Sequence, residues 1–234
     1  MLNNTRPSLE VASALAYAQS DKFKARLTHA LGIVEYGFEV AHAPYVACSF
    51  GKDSLVMLDL VMRVKPDVSV KFLRWSGESE HLNNYDEIIV MYQARYPQMS
   101  LQIFELNRDS LSEKHGDRWN VFDEGDSDGY FIGLRKQESR GRKITLSKHG
   151  LVYQKADGLW RICPVGDFQQ RDIEAYVYYH KLPMLNAYHA LGLETRTASR
   201  IPRSQVRNDA LMALKSYNPT AYNALKLKFP NELF

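Results

Sequence analysis

The stretch Tyr45-Val46-Ala47-Cys48-Ser49-Phe50-Gly51-Lys52-Asp53-Ser54-Leu55-Val56-Met57-Leu58 passes from apolar to small and charged and back to apolar with almost no chain to spare. Its opening run, residues 45–48, is short, apolar and partly β-branched, which predicts a strand buried on both faces. Residues 54–64 predict a helix with Leu55, Leu58, Val61 and Met62 turned inward. A strand that runs straight into a helix constrains the fold, because its next strand must be reached by a crossover rather than a hairpin.

The pattern downstream agrees. Residues 68–73 and 101–106 read as second and third strands, and between them residues 85–96 read as a helix that stops before Pro97. Strand, helix, strand, helix, strand implies a three-layer, doubly wound α/β fold with a mostly parallel sheet and helices on both faces. Upstream, Val11, Leu15, Leu27, Leu31, Val34 and Phe38 recur at helical spacing, which gives two N-terminal helices, the second capped by Ser20 or Asp21. Further on, residues 131–135 suggest a fourth strand, 160–165 a short terminal strand and 169–180 a helix. The last thirty residues suggest a basic loop, a helix over 209–217 and a tail. A chain of 234 residues, 45% hydrophobic and 24% charged, has the length and composition of one soluble domain with extensions.

In a parallel sheet, ligands bind beyond the carboxyl ends of the strands, which is where residues 49–54 fall. Gly51 can adopt positive φ and turn successive N–H groups inward, the helix N-terminus adds partial positive charge, and Lys52 adds a full one. The hydroxyls of Ser49 and Ser54 can donate to phosphate oxygens. Asp53 fits beside an anion if it orients the loop or helps to hold Mg²⁺. The plain alternative is a turn with a capping side chain. The segment matches neither the Walker loop nor the three-glycine dinucleotide fingerprint.

Ser49-Phe50-Gly51-Lys52-Asp53-Ser54 resembles the SxGxDS pyrophosphate loop of the PP-loop ATP pyrophosphatase superfamily (adenine nucleotide alpha hydrolase-like), and Leu55-Val56-Met57-Leu58 is similar to its phosphoadenosine-phosphosulfate (PAPS) reductase branch. Two further blocks agree in order. Gly133-Leu134-Arg135-Lys136-Gln137-Glu138-Ser139-Arg140-Gly141-Arg142 resembles a GxR-x-x-E-S-R segment. Arg161-Ile162-Cys163-Pro164-Val165 with Gln170-Arg171-Asp172-Ile173-Glu174-Ala175-Tyr176 resembles a proline-hydrophobic stretch followed by D-I-x-x-Y. The likeness runs over residues 27–192, and it divides the chain into a helical extension (1–40), a PP-loop nucleotide-binding domain (41–192) and a basic C-terminal loop and helix (193–234).

The resemblance implies ATP or an adenylyl sulfonucleotide with Mg²⁺. Its phosphates would lie against Ser49, Phe50, Gly51, Lys52, Asp53 and Ser54, and Gly133, Arg135, Arg140 and Arg142 would close over them. Lys52, Asp53 and Arg135 would carry catalysis, with Asp53 as the Mg²⁺ ligand. The end of the second strand, Leu73 with Trp75 and Gly77, would bracket the adenine. Here the chain departs from the family's Asp-Thr-Gly-like triplet: Gly77 matches, but Trp75 occupies the aspartate position and offers base stacking or packing instead. The reaction implied is α–β phosphate cleavage that adenylates an acceptor and releases pyrophosphate. The rivals are phosphoadenylyl-sulfate reduction or sulfotransfer, and nucleotide sensing without turnover.

Reductases of this type use a cysteine near the C-terminus, whereas this chain has only Cys48, inside a buried strand, and Cys163. No iron–sulfur cluster is expected, and two cysteines without a signal sequence suggest a cytoplasmic protein with no membrane span. Residues 196–228 hold Arg196, Arg200, Arg203, Arg207, Lys215, Lys226 and Lys228 against one acid, Asp209, which leaves a nucleic-acid or protein acceptor open there. A homo-oligomer also stays open. The acidic run 123–128 lacks calcium-loop spacing and reads as solvated, and the seven histidines show no paired metal spacing, with His180 and His189 read as core or surface residues.

Overall fold

The computed structural model describes residues 8–75, 85–106, 127–195, 206–228 and 230. Two helices open it, α1 (Leu9–Ala18) and α2 (Asp21–Val40), and Ser20 caps the second by accepting from the Phe23 N–H at 3.2 Å. Strand β1 (Tyr45–Ala47) leads into α3 (Lys52–Val64), then β2 (Ser69–Trp75), α4 (Tyr85–Arg95) and β3 (Ser100–Leu106). After β4 (Gly129–Ile132) come α5 (Arg140–His149), β5 (Val152–Gln154) and β6 (Trp160–Ile162). Helices α6 (Gln170–His180), α7 (Asn186–Leu191), α8 (Val206–Tyr217) and α9 (Pro219–Lys228) follow.

The six strands form one sheet in the order β3-β2-β1-β4-β6-β5, parallel except where β5 pairs with β6. The expected α/β fold is therefore present. The chain winds outward from β1 to β3 and then returns to the other side of β1, so the order reverses between β1 and β4. That reversal is a topological switch point, where the connections after neighbouring strands diverge and leave a crevice.

Alternation along the strands separates two cores. Val46, Val70, Phe72, Phe131 and Ile162 face α2, α3, α4 and α6, whereas Tyr45, Ala47, Tyr130 and Ile132 face Leu146 of α5, with Leu151 and Cys163. Helix α3 is buried nearly all round rather than on one stripe, because helices enclose the side turned away from the sheet. Asp59, in the middle of α3, is fully buried and gathers three helices. It accepts from Arg63 Nε at 2.7 Å, Arg95 Nε at 3.1 Å, Tyr176 Oη at 2.7 Å and Tyr96 Oη. Burial alone would push the Asp59 carboxyl up, but hydrogen bonds from Tyr96, Tyr176 and Arg63 outweigh it and hold the group below its ordinary value.

Several boundaries differ from expectation. Helix α3 begins at Lys52, with Ser54 inside its first turn donating back to the Gly51 carbonyl at 2.9 Å. The fourth strand ends at Ile132, so Arg135 lies three residues beyond it. The strand read as terminal, β6, is covered by β5, whose hairpin is formed with Gly158 at φ 86°. Helix α5 takes up Arg140 and Arg142 of the GxR-x-x-E-S-R-like block and extends to His149, where no helix is expected from the sequence. The C-terminal tail is the helix α9, started by Asn218, whose side chain accepts from the Ala221 N–H at 3.0 Å, with Pro219 in the first helical position. From the acidic run, the partly exposed Asp128 accepts from the His42 and Ala43 N–H groups at 2.7 and 2.9 Å and fixes the entry to β1, while 123–126 lie outside the described residues.

Candidate functional site

The switch point opens into a cleft of about 770 Å³. One wall is the segment from Cys48 to Ser54. Gly51 sits at φ −75°, so the expected positive-φ glycine is not what bends it. Phe50 takes the left-handed conformation at φ 54°, and its ring is held in the core, 4.9 Å from Phe72 and 6.3 Å from Tyr92 between centroids. Core packing thus holds a backbone conformation that non-glycine residues rarely adopt, and Phe50 itself is not among the lining residues. The Ser49 and Ser54 hydroxyls lie 3.1 Å apart and clasp the loop. The first turn of α3, Lys52, Asp53 and Ser54, lines the cleft, and its N–H groups have no acceptor within the helix.

The opposite wall is the chain leaving β4. A Cβ on Gly133 would lie 2.7 Å from Ser54 N and 2.8 Å from the Asp53 carbonyl, so only glycine lets this segment pass against the start of α3. Two residues on, Arg135 is 4% exposed and turns back across the cleft to Asp53. Its Nε stands 2.8 Å from Asp53 Oδ1 as a charge contact misaligned for a hydrogen bond, and its Nη2 donates to Oδ2 at 3.4 Å. Gln137 Oε1 at 3.1 Å and Gln170 Oε1 at 3.3 Å take further donors of the same guanidinium. Arg135 thus pairs with Asp53 across the cleft and ties its two walls together. Desolvation raises the Asp53 carboxyl above its ordinary value, with Arg135 and Lys52 opposing.

Lys52 is buried at the first position of α3. Its N–H donates to Tyr188 Oη at 3.0 Å, and its ammonium donates to the Thr195 carbonyl at 3.1 Å. Leu73, Gly133 and Arg142 also line the cleft, Arg142 as an ion pair with Glu138. Arg140 is exposed in the first turn of α5 and is not among the lining residues. The side chain of Trp75, and Gly77 entirely, lie outside the described residues, as do Arg196, Arg200 and Arg203.

Lining residues that the sequence reading passed over are Lys71, Tyr85, Arg161, Gln170, Tyr188 and Glu194. Lys71 had a signal, a lysine alternating with apolar residues in a buried strand. Tyr188 and Glu194 had none, since a short helix and a turn bring them back from far along the chain. Among the described residues the lining carries five cations (Lys52, Lys71, Arg135, Arg142, Arg161) against three carboxylates (Asp53, Glu138, Glu194), a balance that suits an anionic ligand.

The remaining sequence blocks serve the scaffold. Asp172 accepts from the Gln169 N–H and from Tyr17 Oη, both at 2.7 Å, and so ties α1 to the start of α6. Tyr176 bonds Asp59. His180 packs beside Tyr176 and Arg63, away from the cleft, and His189 is exposed. Both cysteines are buried, and burial pushes each thiol up to about 12. Asp53 does not fit a Mg²⁺ site: a guanidinium stands against both its oxygens, and no group of three or more His, Cys, Asp or Glu side chains that could hold a metal occurs among the described residues.

Parallel α/β topology, with a switch-point crevice beside the loop ahead of the first crossover helix, defines a doubly wound α/β protein. Residues 43–193 match the family model of the phosphoadenosine phosphosulfate reductase domain, and the chain belongs to that family. An adenosine 5'-phosphosulfate reductase of Bacillus anthracis is 29% identical over 179 residues, covering 68% of this chain and 73% of that protein. One from Bacillus thuringiensis is 26% identical over 200 residues, covering 76% and 80%. Among solved structures, a phosphoadenylyl-sulfate reductase from Candida auris in a phosphate complex aligns at TM-score 0.49 and 16% identity, over 70% of this chain and 89% of that one. Among the described residues no helix is long and apolar enough to cross a membrane.

Proposed function

We propose that this chain binds an adenylyl nucleotide, ATP or an adenylyl sulfonucleotide, in the switch-point cleft, and that it catalyses substitution at the α-phosphorus. The anionic tail lies along residues 49–54, where the N-terminus of α3 and Lys52 meet it, with Arg142 approaching from the opposite wall. The observation that carries this reading is the joining, in one cleft, of that loop with an excess of cations. For ATP, an acceptor oxygen forms a bond to the α-phosphorus, the bond to the bridging β-phosphate oxygen breaks, and pyrophosphate leaves with the electron pair while the acceptor's proton passes to solvent. The protein's contribution is positioning and charge stabilisation, through helix N–H groups and Lys52 already fixed where negative charge grows. The Asp53–Arg135 pair holds the two walls in register. Mg²⁺, which the resemblance implied, has no fitting site at Asp53, where Arg135 stands against both carboxylate oxygens.

A second reading, reduction of a sulfonucleotide to sulfite, is favoured by the names of the relatives. It needs a thiolate, and both thiols of this chain are buried with raised pKa, so the nucleophile would have to come from a separate dithiol. Incubation with ATP and, separately, with adenylyl and phosphoadenylyl sulfate, followed by mass identification of the products, decides between them. Pyrophosphate with an adenylated acceptor supports the first reading; sulfite that requires added dithiol supports the second. Failure of every one of these nucleotides to bind sinks both.

A further inference from the structure

Helix α5 reads RGRKITLSKH, with Arg140, Arg142, Lys143, Lys148 and His149 and no acid. Its one buried residue, Leu146, packs with Tyr130 and Leu151, while Arg142 reaches the cleft and pairs with Glu138. Arg140, Lys143, Ile144, Ser147 and Lys148 are exposed and recur at i, i+3, i+4, i+7 and i+8, so they share one face. That face runs about 12 Å from Arg140 to Lys148. No ion pair among the described residues takes up Arg140, Lys143 or Lys148. Where the helix ends, the exposed ring of His149 stacks on Tyr153 of β5, with centroids 5.2 Å and planes 30° apart.

Two of these charges oppose the helix that carries them. Arg140 and Lys143 sit in the first turn, where the helix dipole is already positive, and as an i, i+3 pair they repel each other; Lys148 alone suits its end. We propose that this face of α5, with His149 and Tyr153, binds a single-stranded nucleic acid. Cations along one side neutralise phosphates of a strand, while the exposed Ile144 and the stacked imidazole offer its bases apolar and aromatic contact. An acidic peptide would use the cations but not the ring stack, and a duplex would keep its base faces from it. The same helix meets the cleft through Arg142. On the nucleotide reading above, such a strand would supply the acceptor oxygen, but the surface does not rest on that reading.

The test is fluorescence anisotropy of labelled oligouridylate and oligothymidylate of about 12 nucleotides on the full chain, from about 50 to 200 mM salt. Wild-type protein is expected to bind at least one of them. Lys143→Gln with Lys148→Gln weakens binding at least about tenfold and lowers the log–log salt slope by roughly 1.4, about 0.7 for each lost phosphate contact. His149→Ala weakens binding about fivefold or more with the slope unchanged. Both variants keep the cleft's affinity for ATP. If the double variant does not fold, Lys143→Gln alone carries the test with half the change in slope. Absence of oligonucleotide binding at low salt, unchanged affinity in a folded variant, or a hairpin duplex bound as tightly as the single strand overturns the proposal. Displacement of the strand by polyglutamate at equal charge, with His149→Ala without effect, also overturns it and points to an acidic protein. Should ATP and pyrophosphate fail to bind while the oligonucleotide results hold, the reading of the cleft falls and this surface stands.

Discussion

Replacing Arg135 with methionine keeps its length and removes its charge, and the consequence can be worked from the cleft. Asp53 and Arg135 have side chains only 14% and 5% exposed, and Asp53 sits in the first turn of α3 at the loop. Without the guanidinium, Asp53 keeps its desolvation cost and loses its main compensation, while Gln137 and Gln170 lose a donor each. Breaking a buried pair from one side costs about 3 kcal/mol or more, or roughly 6–12 °C of melting temperature for a chain of this size. The penalty also has a pH signature. Burial already raises the folded pKa of Asp53 above its unfolded value, and removing Arg135 raises it further, so the folded state binds the extra proton. Stability of Arg135→Met therefore falls as pH rises above the unfolded carboxylate value of 3.8 through the folded one, and acidification relieves the loss. Urea denaturation from pH 5 to 8 reads this directly, and Asp53→Asn in the same background is expected to recover part of the loss. A penalty below about 1 kcal/mol, the range of exposed pairs, or one independent of pH and simply additive with Asp53→Asn, would refute this tie between the walls.

Gly133→Ala places a methyl 2.7 Å from Ser54 N, against backbone that cannot rotate away. A loss of about 1–3 kcal/mol together with weakened pyrophosphate binding is expected; a wild-type melt and affinity would show that the two walls are not in contact. Lys52→Ala is expected to weaken ATP or pyrophosphate binding by roughly 10- to 100-fold, and unchanged calorimetry would remove Lys52 from the site. Asp59→Asn strands Arg63 and Arg95 far from the cleft and is expected to cost about 3 kcal/mol with nucleotide affinity intact in the folded protein; an affinity change there would contradict its scaffold role. Desolvation, with Arg63 beside it, depresses His180 from 6.5 to about 4, so its contribution to stability is lost as pH falls between those values. Equal unfolding free energies at pH 7 and pH 4.5 for wild type and His180→Asn would exclude this.

Much of the scaffold was legible because it follows from short-range periodicity. The N-terminal helices, the first three strands and α6 lie within two residues of their expected bounds, since apolar spacing and the Pro97 stop are local signals. The misses have physical causes. Helix α5 has few apolar residues, with only Leu146 buried, so no stripe marks it. Strand β5 is three residues long, too short to alternate visibly, so only β6 was expected at that edge of the sheet. The tail was missed although Asn218-Pro219 is a readable helix start.

The residues 49–54, with the apolar runs on either side, determined by themselves that a strand would pass directly into a helix whose open N-terminus invites an anion, because those preferences are set by neighbouring side chains and backbone. Only the tertiary structure decided which residue bends the loop, since Phe50 is forced to positive φ by the core around its ring. It likewise decided that Arg135 faces Asp53 rather than open cleft, and that Lys71, Arg161 and Tyr188 share the site. Partners of this kind come from distant parts of the chain, and the sheet order that brings them together is fixed by burial of both faces at once.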